Sequence, residues 1–133
     1  MAERIKIALG SVAPLPAPLS FEVSGKDLTT ASPRTLTLSD ADIREAFQPV
    51  TEKLVGAIMG MLEATPPELG ADIMRQGILL TGGGALLRGF ADRITKAAHI
   101  PVHVDSDPLT TVLRGAGITM DDPEKYRDLL IEC

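Results

Sequence analysis

The chain has 133 residues, 44% of them hydrophobic, with a formal charge of −5 and an isoelectric point near 4.9. That is enough for one modest domain or part of a larger one, and the apolar content excludes a disordered polymer. The acidic balance argues against nucleic acid as a partner, because such affinity rests on basic side chains meeting phosphates, and no apolar run approaches the roughly 20 residues of a membrane span.

Aromatic residues are scarce: there is no Trp, only Tyr126, and only Phe21, Phe47 and Phe90. The expected core is therefore aliphatic, with Met59, Met61 and Met74 as filler. The one thiol, Cys133, stands at the last position, so no internal disulfide or zinc cluster is available. The N-terminal MAERIK is charged and lacks the apolar segment of a signal peptide. The expected location is cytoplasmic.

The first predicted element is a helix from Ala2 to Leu9, stopped by Gly10 and Ser11, with Ile5, Ala8, Leu9 and Val12 on its apolar side. Nothing precedes Ala2 to cap it, and two turns are marginal alone; the expectation is that residues of a longer ancestor once preceded it. Pro14, Pro16 and Pro18 impose an extended connector. Alternation in Leu19 to Ser24 and again in Thr35 to Leu38 predicts two strands forming a hairpin.

Ser39 is a good N-cap, with Asp40 and Asp42 where the helix dipole favours negative charge. A long apolar stripe follows: Ile43, Phe47, Val50, Leu54, Ile58 and Met61. Pro49 inside it should kink or divide the helix. A short helical stretch from Glu68 to Arg75 leads to the apolar run Ile78-Leu79-Leu80, then Thr81, three glycines and a helix expected to open at Ala85. Its buried face would be Leu87, Phe90, Ile94 and Ala97, with Asp92 and Lys96 paired outside. Pro101 to Val104 predicts a strand, Asp105 to Pro108 a loop, and Leu109 to Ala116 a helix ended by Gly117. Beyond it, periodicity is weak around Tyr126, Leu129, Leu130 and Ile131.

Strands alternating with helices in the second half imply parallel pairing and an α/β fold. Two such strands are few for a complete parallel sheet. The second half therefore reads as the end of a larger sheet.

The glycine turn is the first candidate site. Gly82, Gly83 and Gly84 carry no Cβ to hold a ligand away from the backbone, and a helix opening at Ala85 would present free N–H groups and a positive dipole end to a phosphate. The same pattern serves ordinary tight turns between a strand and a helix, and no Gly-Lys-Ser/Thr follows as in a P-loop. Glu3 and Lys6 lie three apart on the first helix and locally read as a solvated ion pair. His103, Asp105 and Asp107 could offer ligands to a metal from one strand face, but Asp107 precedes Pro108, and the aspartates read more simply as caps of a turn. No Ser/His/Asp or Cys/His arrangement is present, and no catalytic or metal-binding residue is assigned.

Taken together, GILLTGGGALLRGF, IPVHVDSDPLTTVLRGAG, AERIK at the start and PPELGADI before the strand resemble the C-terminal third of the MreB family, the bacterial actin-like cytoskeletal ATPases of rod-shaped cells. The likeness runs from about Ala2 to Gly117, and the tail matches poorly. LTGGGALL and DPLT…RG in this order and spacing are specific. Sugar kinases and heat-shock chaperones share the architecture but not these motifs.

The resemblance implies part of an actin-like (ribonuclease H-like) ATPase domain, the second large domain with its small outer subdomain. Residues 1–45 would belong to the small subdomain and residues 46–133 to the larger, nucleotide-binding one. Glu3, Arg4, Ile5 and Lys6 correspond to the family's helix beside adenine and ribose. Gly82, Gly83, Gly84, Ala85 and Leu86 correspond to its adenosine motif. The implied cofactor is ATP or ADP, with magnesium held by parts of the family fold that have no counterpart in these residues. The phosphate loops and the acids that orient metal and water are likewise without counterpart, so the resemblance implies no hydrolysis by this stretch alone.

Implied partners are actin-like protomers, either copies of this chain or a full-length paralogue, and membrane-bound cell-shape proteins. The implied location is cytoplasmic, peripheral to the inner face of the membrane through partners, with no insertion by this segment. Two alternatives stay open: a nucleotide-independent module that joins or caps such filaments, and a truncated remnant without its own role.

Overall fold

The structure, a computed structural model, describes residues 1–129; Leu130, Ile131 and Cys133 lie outside the described residues. Helix α1 (Ala2–Leu9) ends where the Gly10 amide still donates to the Lys6 carbonyl at 2.8 Å. Leu9 is its anchor, 1% exposed. Strands β1 (Ser20–Lys26) and β2 (Pro33–Ser39) form the expected antiparallel hairpin, with Phe21 opposite Leu38 and Val23 opposite Leu36. Asp27 closes its turn: Oδ1 accepts from the Thr29 and Thr30 amides, and Arg34 pairs with Oδ2 at 3.2 Å.

Helix α2 (Asp40–Ala64) starts on a capping box in which the Ser39 hydroxyl accepts from the Asp42 amide and Asp42 accepts from the Ser39 amide. Asp40 ties this start to the proline connector by accepting from the Leu19 amide at 3.0 Å and from Arg44 at 2.9 Å. The helix is not divided at Pro49 but runs through it for 25 residues.

Helix α3 (Pro67–Gln76) leads into β3 (Ile78–Leu80), which pairs in parallel with β4 (Val102–Val104). Gly77 joins them at φ +86°, and a Cβ there would stand 2.6 Å from the Pro101 carbonyl oxygen, so only glycine fits. Helix α4 (Phe90–Ala98) packs on α2 and β4, and α5 (Thr111–Asp121) follows, then a 3₁₀ turn at Arg127–Leu129.

Two helix boundaries differ from expectation. No α-helix opens at Ala85: Gly83–Leu86 is one 3₁₀ turn, Leu87 is extended, and α4 begins only after Gly89 at φ +79°. The cause is long-range, because Arg88 forms a parallel bridge with Ser11 and its carbonyl accepts from the Val12 amide at 2.9 Å. That bond competes with helix continuation. The last helix starts at Thr111 rather than Leu109 and passes Gly115 and Gly117 to reach Asp121; glycine in a helix costs about 1 kcal/mol, too little to force a stop. The Asp92–Lys96 pair is also not among the ion pairs formed by the described residues, although both side chains lie on α4.

The core is small. Leu9, Ala85, Phe90, Ile94 and Ile100 are the buried apolar residues among those described. The expected methionine filling is not observed: Met61 and Met74 are 73% and 67% exposed, and Met59 is half-buried. The accessible surface is 9979 Å², against about 6,700 Å² for a typical monomer of this mass. The excess is surface on which α2, α5 and β3 leave apolar side chains uncovered, such as Leu54, Leu79 and Val112.

Acid should weaken this fold. Asp27, Asp40, Asp42 and Asp105 are all held below the ordinary value of 3.8, Asp40 by the Leu19 amide and then Arg44, Asp42 by the Ser39 hydroxyl and then its amide. A carboxyl with a folded pKa below its unfolded one adds stability above the unfolded value and loses it as pH falls through the folded one. Circular dichroism against denaturant should show stability flat above about pH 5 and falling steadily below about pH 4.

Candidate functional site: a cleft between the first helix and the glycine turn

A cleft of about 540 Å³ opens where α1, α2, the glycine turn and the loop before α5 meet. Its volume lies in the range of roughly 300–1,000 Å³ common for small-molecule sites. Of the residues expected at a ligand, Glu3, Lys6, Gly83, Gly84 and Leu86 line it together. Arg4 and Ile5 do not line it, Arg4 being exposed and Ile5 half-buried. Gly82 and Ala85 also stay off the lining: Gly82 bends the backbone at φ +75°, and Ala85 is 8% exposed and belongs to the core.

Glu3 and Lys6 form an ion pair of 2.7 Å with 66% and 51% of their side chains exposed. Such a pair contributes little to stability, so both groups remain free to meet a ligand. Gly84 has no atom within 4 Å of where a Cβ would stand, and Gly83 has only Leu109 Cδ2 at 3.6 Å. The turn therefore presents bare backbone to open space.

The other walls come from residues to which the sequence assigns no role at a ligand. Phe47, Val50 and Leu54 of the apolar α2 stripe form one side of the cleft together with Thr51, which is 4% exposed. Helical spacing marks that stripe as apolar but does not say whether protein or ligand covers it. Arg88 lies within the GILLTGGGALLRGF motif, but the sequence assigns it no role. It holds the two halves of the cleft together by donating to the Ala8 carbonyl at 3.0 Å and the Gly10 carbonyl at 3.3 Å.

Chemically, this is an apolar slot with polar groups at its mouth. The aliphatic walls suit a flat, weakly polar ring. Glu3 can accept from hydroxyl groups, Lys6 can donate, and the glycine backbone allows close approach. The 3₁₀ turn at Gly83–Leu86 is too short to supply a helix dipole, which removes the phosphate cradle expected at Ala85. His103, Asp105 and Asp107 do not converge. Asp105 accepts from Thr111 and Arg114, Asp107 accepts from Thr110, and no group of three or more metal-ligating side chains forms among the described residues. No helix among the described residues is long and apolar enough to cross a membrane.

Comparison with known proteins places the fold in a family. The family model described as MreB/Mbl protein matches residues 1–128. The cell shape-determining protein MreB of Escherichia coli is 44% identical over 120 residues, 90% of this chain and 35% of its own length. The cell shape-determining protein Mbl of Bacillus cereus is 39% identical over 124 residues, 93% of this chain and 37% of its own. The crystal structure of MreB5 of Spiroplasma citri bound to ADP superposes with a TM-score of 0.88 at 31% identity, covering 96% of this chain and 39% of that one; the AMPPNP-bound form gives 0.87. The chain thus spans little more than a third of the relatives it matches, and its fold is that part of an actin-like architecture. By motif, fold and match along nearly all its length, the chain belongs to the MreB/Mbl family.

Proposed function

We propose that this chain supplies the adenosine side of an ATP- or ADP-binding cleft in an actin-like cell-shape protein of the MreB type, and carries contacts to neighbouring protomers. The observation that carries the reading is the meeting of Glu3 and Lys6 with Gly83, Gly84 and Leu86 in one apolar cleft, although some eighty residues separate the two groups. The base would lie between the α2 wall and the glycine turn, with the ribose hydroxyls toward Glu3. MreB5, at 31% identity, is solved with ADP and with AMPPNP, which supports the ligand class. Residues 1–45 would form part of a small outer subdomain and residues 46–133 part of a larger one; the separate β1–β2 and β3–β4 sheets support that division.

Phosphoryl transfer needs a metal and a nucleophile placed around the γ-phosphate. No residue here is given that work, and magnesium would be held elsewhere in the family fold. Calorimetry and ligand-observed NMR should detect ATP and ADP binding, weakened roughly threefold to tenfold by Glu3→Ala or Lys6→Ala. Absence of binding at millimolar nucleotide, even with the remainder of an MreB-type protein supplied in trans, would sink the reading.

A second reading has its own observation. The uncovered apolar residues of α2 and the surface excess suit a structural module that joins or caps filaments of actin-like protomers without using nucleotide. Docking to membrane-bound cell-shape proteins, and hence a position at the inner face of the membrane, would follow from such contacts. This reading expects co-sedimentation with MreB-type filaments that is unchanged when the cleft is blocked.

A further inference from the structure

The loop from Asp105 to Thr110 is tied at many points. The Asp105 amide donates to the Leu80 carbonyl at 3.2 Å, and the Gly82 amide donates to the Pro108 carbonyl at 2.6 Å, which fastens the loop to both ends of the β3–glycine segment. Its side chains close the rest. Asp105 Oδ2 accepts from the Thr111 hydroxyl at 2.5 Å and from Arg114 at 2.7 Å, while Oδ1 accepts from the Ser106 hydroxyl at 3.2 Å and the Asp107 amide at 3.4 Å. The Thr111 hydroxyl and then the Arg114 guanidinium hold this carboxyl well below the usual range. Asp107 in turn accepts from the Thr110 hydroxyl.

These bonds surround Leu109, which is 64% exposed and lines the cleft opposite Gly83. An exposed leucine beside an apolar slot gains by collapsing across it, since removing apolar surface from water is favourable. A loop held by backbone bonds and charge-assisted side-chain bonds can resist that collapse.

We propose that Asp105 is a positioning residue: clamped by Thr111 and Arg114, it fixes Leu109 against Gly83 as a preset wall of the cleft, and so keeps the slot between Gly84 and the α2 wall open to a flat ligand. The inference rests on the reading of the cleft as a nucleoside site. Its physical basis is preorganisation, in which a wall already in place spares the ligand the cost of ordering it.

Two variants release the clamp. Asp105→Asn keeps the side-chain shape but removes the charge facing Arg114, and Arg114→Gln releases the same contact from its exposed end, so that it serves if the first variant fails to fold. With methyl-labelled leucine in the full chain, the unaltered protein should show a cross-relaxation signal between Leu109 and the Gly83 amide. In both variants Leu109 should cross the slot, losing most of that signal and gaining one to the methyl groups of Val50 and Leu54 on the opposite wall. ADP affinity should fall roughly tenfold in each, and Arg114→Lys, which keeps the charge, should recover most of that loss. A role in stability alone would lower the melting temperature without changing the affinity of the folded protein.

The proposal is overturned if both variants keep the Leu109 signal, or if they lose it while ADP affinity stays within about twofold. If the unaltered chain binds no nucleotide, the nucleoside reading fails separately. The methyl signal then judges the clamp alone: retention in both variants overturns it and loss upholds it.

Discussion

Ile94→Ala should leave the chain largely unfolded at 25 °C. Ile94 is the one described side chain with 0% exposure among the apolar core, and it lies on α4, which packs on both α2 and β4. Truncating a fully buried isoleucine removes its transfer free energy and leaves a cavity, together about 2–5 kcal/mol. Whole domains have only about 5–15 kcal/mol to lose. This chain, with five buried apolar residues and a large surface excess, should sit at or below the bottom of that range. Circular dichroism and a urea titration would read the result. Ile94→Val should cost only about 0.5–1.5 kcal/mol and stay folded, and Met61→Ala, at an exposed position, should change stability by less than about 0.5 kcal/mol. An unchanged urea midpoint in Ile94→Ala would mean that the core has been misplaced.

Gly84→Val should abolish most nucleotide binding without unfolding the chain. A Cβ at Gly84 meets no atom within 4 Å, and the backbone there is not left-handed, so a valine fits the protein itself. It does not fit a ligand, because its methyl groups would stand in the cleft where the bare turn allows close approach. Affinity for ATP and ADP should fall by more than roughly thirtyfold, equivalent to about 2 kcal/mol, while the melting temperature stays the same. Gly77→Val is the contrast: there φ is +86° and the new Cβ would stand 2.6 Å from the Pro101 carbonyl, so the β3–β4 pair should break and the fold fail with it. The Gly84 variant also separates the two functional readings. Filament co-sedimentation that survives Gly84→Val, with no nucleotide effect in the parent protein, would favour the structural module.

Much of the local structure was legible because its causes are local. Ser39 and Asp42 lie three apart, and the capping box needs nothing more. The alternation in Phe21, Val23, Leu36 and Leu38 defines a hairpin whose register brings those residues opposite one another. The apolar run Ile78 to Leu80 marked one strand and Pro101 to Val104 the next. The glycine turn and the Glu3–Lys6 helix were recognisable through family motifs, and the cleft brings five of their nine residues together.

Other features were hidden because periodicity reports apolarity and not what covers it. Spacing marks the α2 stripe as apolar, yet Val50 and Leu54 are 57% and 48% exposed and serve as a cleft wall. Met61 and Met74 fit a core by type and spacing, but nothing among the described residues packs over them. The loop around Leu109 looked like the first turn of a helix until the side chains of Asp105 and Asp107 were seen to occupy the hydroxyls of Thr110 and Thr111.

The sequence by itself determined the order of strands and helices, the parallel α/β character of the second half and the family, because capping, alternation and motif wording act over a few residues. Only the tertiary structure decided that no helix opens at Ala85, that Arg88 clasps the end of α1, and that the glycine turn faces Glu3 and Lys6 across an apolar slot. Each of these depends on contacts between segments far apart in the chain, such as Arg88 with Ala8 at a separation of 80 residues. A hydrogen bond at that range can override the local preference to continue a helix, and no local pattern records it.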